Sequence, residues 1–60
     1  MMMKEHITGN IDIIFQILPD EYNVYKRDGK KHIAKRRFAL SDRKRAAIYF
    51  NMLIAEQKGK

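Results

Sequence analysis

The residues able to do chemistry are gathered in one stretch, Tyr22 to Arg45, YNVYKRDGKKHIAKRRFALSDRKR. Between Lys26 and Arg45 ten basic residues stand against Asp28 and Asp42, a local balance of +8, while the other forty residues sum to −2 and the whole chain to +6. A basic footprint this localised points to a polyanion, and to nucleic acid first. Arg can pair bidentately with guanine and Asn with adenine in the major groove, so Asn23, Arg27 and Arg36 are candidate base readers, with Lys30 and His32 beside them. Lys35, Arg37, Arg43, Lys44 and Arg45 are candidate phosphate grips. Tyr25 is the aromatic expected to face outward, while Tyr22 and Phe38 are expected in the core.

A catalytic reading starts from His32 and Tyr25, with His32 as a general base and Arg36 steadying a phosphorane. No second acid or base accompanies them, and no catalytic residue is assigned. His6 and His32 cannot make a zinc site alone, there is no cysteine, and neither a metal nor a cofactor is expected. Plainer roles exist for the cations as well. Lysines on an edge strand block aggregation, and a charge run at a helix start can simply be solvated.

The elements that would position these residues begin with Asp28-Gly29. Flanked by runs rich in β-branched and aromatic residues, it predicts a two-residue type I′ hairpin turn. That turn sets Arg27 opposite Lys30, Tyr25 opposite His32, Val24 opposite Ile33 and Tyr22 opposite Lys35. One face then carries Tyr22, Val24, Ile33 and the stems of Lys26, Lys31 and Lys35. The other, basic face carries Asn23, Tyr25, Arg27, Lys30, His32, Ala34 and Arg36. Phe38 falls on the basic face in strict alternation, so a bulge or strand end near Arg36-Arg37 is expected to turn it inward.

Upstream, residues 1–10 read as a lead-in, with Gly9-Asn10 as a turn signal. Residues 11–18 fit a helical stripe or one face of a strand. Four isoleucines and a phenylalanine there favour the strand, which Pro19 ends. Downstream, Ser41 reads as an N-cap with Asp42 in the first turn. Ala46, Ala47, Phe50, Leu53 and Ile54 make an inward helical stripe that Ile48, Tyr49 and Met52 widen, and Gly59 stops it. Arg43-Lys44-Arg45 would oppose the helix dipole, an arrangement that favours a bound anion at some cost to the helix. The expectation is an α+β domain: a three-stranded antiparallel meander over 11–40 packed against one C-terminal helix over 41–58. The alternative is α-β-β-α, with residues 7–18 as a first helix.

Sixty residues make one small domain. The N-terminus is interrupted by Glu5 and Asp12 and does not read as a signal peptide. Nothing approaches the roughly 20 apolar residues that span a bilayer. A soluble, cytoplasmic protein without membrane contact is expected, with homodimerisation one way for so small a core to gain stability.

The basic hairpin Tyr22–Arg27 and Lys30–Phe38, followed by Ser41 and the amphipathic Ala46–Leu53, resembles the N-terminal arm-binding domain of phage and transposon integrases, the tyrosine recombinases. The resemblance covers about two-thirds of the chain. It implies a three-stranded sheet whose exposed face enters the DNA major groove. No recombinase domain follows, so it implies a free-standing DNA-binding module or transcription regulator of a phage or mobile element. RNA binding is a variant of this reading. A second reading is a small regulatory or inhibitor protein that docks its basic face on an acidic host protein.

Overall fold

The computed structural model describes residues 2–58, and side chains from residue 3. Four strands, β1 (Met2–Thr8), β2 (Ile11–Ile17), β3 (Glu21–Asp28) and β4 (Lys31–Ala39), form one antiparallel sheet in the order β1-β2-β3-β4. A 3-10 turn (Leu40–Asp42) leads directly into α1 (Arg43–Lys58), which lies across β2, β3 and β4 on one side of the sheet. The protein is therefore α+β, with the expected meander-plus-helix in β2–β4 and α1 and a fourth strand, β1, in the segment read as a lead-in. The alternative helix over 7–18 is overturned, because that segment holds the end of β1, a turn and β2. The helix stop assigned to Gly59 lies outside the described residues.

Glycines set the turns of the first and last hairpins, β1–β2 and β3–β4. Gly9 and Gly29 have φ +60° and +61°, and no other described residue has positive φ. Thr8 pairs with Ile11 and Asp28 with Lys31, so Gly9-Asn10 and Gly29-Lys30 are the central turn residues. Positive φ at the first central residue alone is the type II′ arrangement. The expected type I′ turn at Asp28-Gly29 would need positive φ at Asp28 too, and the chain instead places its only permissive residue first. The middle connection, Pro19-Asp20, is closed by the Leu18 amide donating to the Glu21 carbonyl at 2.9 Å.

This shift of the turn alters the expected register. Continued without a break, it would set Phe38 opposite Glu21, on the face away from the helix. The ladder slips once, between Lys26 and Arg27, leaving Ile33 as the extra residue of a β-bulge in β4. Beyond it Lys26 faces Ala34, Val24 faces Arg36 and Tyr22 faces Phe38. A bulge does turn Phe38 inward, at Ile33 and not at Arg36-Arg37 as expected. Ile33 itself is 53% exposed and not in the core.

The core lies between sheet and helix and comprises Ile13, Phe15, Tyr22, Val24, Phe38, Ala46 and Leu53, with Ile11, Ile17, Tyr49, Phe50 and Ile54 packed around it. Phe15 meets Tyr22 with ring centroids 5.5 Å apart and Phe50 edge-on at 5.7 Å. Lys26 is buried on this face by its stem, beside Ile13 and Ala34. Two residues expected to widen the inward stripe, Ile48 and Met52, are exposed. Ile48 and Leu53 are five positions apart, which at 3.6 residues per turn puts them on different sides of the helix.

Candidate nucleic-acid interface

Alternation along paired strands fixes what the sheet face away from α1 carries. Its rows run Ile7, Asp12, Arg27, His32; then Glu5, Ile14, Tyr25, Lys35; then Met3, Gln16, Asn23, Arg37. Glu21 lies beside Arg37 at the end of β3. Arg27 donates to Asp12 at 2.9 Å, Arg37 pairs with Glu21 at 2.9 Å, and Asn23 donates to Gln16 at 3.3 Å. The bond to Asp12 pushes the Arg27 guanidinium above its already high range, so it remains charged. Three cations and three acids share this face, which is charge-balanced and largely self-paired rather than basic.

The predicted site residues are accordingly divided. Asn23, Tyr25, Arg27 and His32 lie on the open face as expected, and Tyr25 and His32 touch edge-on with ring centroids 5.3 Å apart. Lys35 and Arg37, assigned to phosphate gripping off this face, are on it. Arg36, assigned to base reading, is on the helix side opposite Val24, as is Ala34 opposite Lys26. That also separates Arg36 from His32 and takes apart the phosphorane constellation. Lys30 is in the turn and exposed.

Ser41 is not the N-cap of a regular helix. It sits inside the 3-10 turn, which has no side-chain capping bond, and Asp42 occupies that first turn. Arg43, Lys44 and Arg45 therefore follow one turn of helix already begun, where the opposing dipole is weaker. All three are exposed. They flank the helix on both sides. Arg45 shares an open groove of about 260 Å³ with Arg36, Phe38, Ile48, Tyr49 and Met52. Arg43 shares a smaller one, about 120 Å³, with Lys4, Asn51 and the apolar floor of Phe15, Ile17 and Phe50. The Arg36 guanidinium lies over the Phe38 ring at 5.1 Å and the Tyr49 ring at 5.7 Å. Sequence reasoning missed Lys4 in this set, since its strand was not assigned, and missed Ile48 and Met52 as an exposed patch.

No group of three or more His, Asp or Glu side chains among the described residues could hold a metal ion. No helix among them is long and apolar enough to cross a membrane. No known family model, curated protein or solved structure matches the chain.

Proposed function

We propose that the chain is a small nucleic-acid-binding module that grips the phosphates of duplex DNA with cations grouped around the start of α1. The observation that carries this reading is the charge balance of the open sheet face: with three cations offset by three acids there, the net +6 belongs to the remaining surface. Lys4, Arg36, Arg43, Lys44 and Arg45 lie around the first half of the helix, with Asp42 preceding Arg43 in the 3-10 turn, and Lys30 and Lys31 extend the positive charge to the hairpin tip. The integrase-type mode, with the exposed sheet face in the major groove, would require Arg27 and Arg37 to leave their carboxylate partners. Gripping by the helix side requires no such rearrangement.

The test is a titration of duplex DNA, single-stranded DNA and RNA over a range of salt. Five phosphate contacts give log affinity against log salt a slope of about −4 to −5 for duplex DNA. A flat salt response excludes the proposal, and a preference for single strands or RNA reassigns the substrate.

A further inference from the structure

We infer that the free edge of β4, with the groove beside it, receives a strand from a partner protein that alternates apolar and acidic residues. β4 is a terminal strand of the sheet, so one row of its backbone amides and carbonyls is free to pair with an added strand. On the helix side of that edge, between β4 and α1, lie side chains that the core does not take up. Ile48 is 67% and Met52 44% exposed, and together with Tyr49 and Phe38 they wall the groove of about 260 Å³. A fifth strand would point every second side chain onto this apolar shelf, in line with Arg36 and Phe38. Its other side chains would lie in line with Lys35, exposed on the open face, and with Arg37, which meets Glu21 through Nε and is 71% exposed, leaving its terminal nitrogens open to a second carboxylate. Apolar residues suit the first set and carboxylates the second.

Charge also selects the occupant. A second copy pairing through the same edge would set Lys31, Lys35, Arg36 and Arg37 against themselves, and like charges across a strand pair repel. An acidic strand reverses that sign. The edge thus resists self-association while remaining open to a complementary partner. This inference does not rest on DNA binding, and its test contains no nucleic acid in the primary titration.

The probe is a fluorescein-labelled peptide of nine residues, the length of β4, alternating Val and Glu, with a control in which Lys replaces every Glu. Anisotropy should show binding of the Glu peptide, with the Lys control weaker by about tenfold or more. Ile48→Gln combined with Met52→Gln should weaken the Glu peptide by about tenfold while leaving the melting temperature unchanged, since both side chains are exposed. Backbone amide shifts should centre on residues 35–38 and spare the opposite edge, β1. Equal affinity for the two peptides, unchanged affinity in the double variant, or shifts centred on β1 each overturn the inference. So does concentration-dependent dimerisation through β4, or a double variant that loses affinity for duplex DNA but not for the peptide.

Discussion

The guanidinium of Arg27 lies 2.9 Å from the carboxylate of Asp12 on the neighbouring strand, so this open-face cation is already engaged. Asp12→Asn removes the partner and gives the open face a net positive charge. The pair is partly exposed and screened by solvent, so its loss should lower stability only slightly in chemical denaturation. If the helix side does the gripping, Arg27→Ala should leave DNA affinity nearly unchanged. A loss comparable to that of an α1 cation would return the sheet face to the interface.

Arg36 and Lys44 provide the complementary comparison. Both lie on the proposed gripping surface, so Arg36→Ala and Lys44→Ala should weaken a selected site and scrambled DNA in the same proportion. Each should reduce the salt slope by about one unit. Arg36→Ala should also cost about 0.5–1 kcal/mol of stability through its loss from the Phe38 and Tyr49 rings, a cost Lys44→Ala does not share. Selective loss at the preferred site alone would make Arg36 a base reader.

The turn glycines give a backbone test free of steric complication. A Cβ added at Gly9 or Gly29 would meet nothing within 4 Å, so Gly9→Ala and Gly29→Ala each report only the positive φ. Each should cost about 1–2 kcal/mol in thermal or denaturant unfolding. A synthetic chain with D-alanine at either position should recover that loss, because the mirror-image residue favours positive φ. An L-alanine variant as stable as the parent would displace the turn from Gly29-Lys30.

Ile13 and Ile14 are consecutive, point to opposite sides of the sheet, and are 0% and 4% exposed. Ile13 is covered by the helix and belongs to the core cluster, whereas Ile14 is hidden on the open face among Glu5, Tyr25 and their neighbours. Ile13→Ala should cost about 2–5 kcal/mol, a large share of the stability of a domain this small. Side chains over Ile14 can settle into the space, so Ile14→Ala should cost clearly less in the same denaturation experiment. Reversed costs would place the helix on the other face.

The two central strands and the helix were legible in the sequence because their residues have one-sided surroundings. Ile11, Ile13, Phe15 and Ile17 in β2, alternating Tyr22 and Val24 in β3, and the Ala46–Leu53 spacing each belong to a core face. β1 was not legible. Lys4, His6 and Thr8 on its helix-side face are all polar, and Glu5 and Ile7 on the other mix polarity, so neither face reads as a core face. The site was misplaced for a narrower reason. Moving the turn from Asp28-Gly29 to Gly29-Lys30 shifts the register by two residues and leaves every side chain on its expected face. The bulge at Ile33, which no residue type announces, is what exchanged the sides of Arg36 and its neighbours Lys35 and Arg37.

The bulge at Ile33 also gives β4 a spare residue. Straightening it absorbs the loss of any one position from Ile33 to Arg37 while Phe38 stays opposite Tyr22 and the lead into α1 keeps its length. Deleting Ile33 itself would leave every other pair in β3 and β4 in place. A strand interior is ordinarily the part of a fold least forgiving of deletions, because one missing residue turns all that follow to the wrong side. In this chain the basic strand is the segment that can be shortened by one residue without rebuilding the core beneath it.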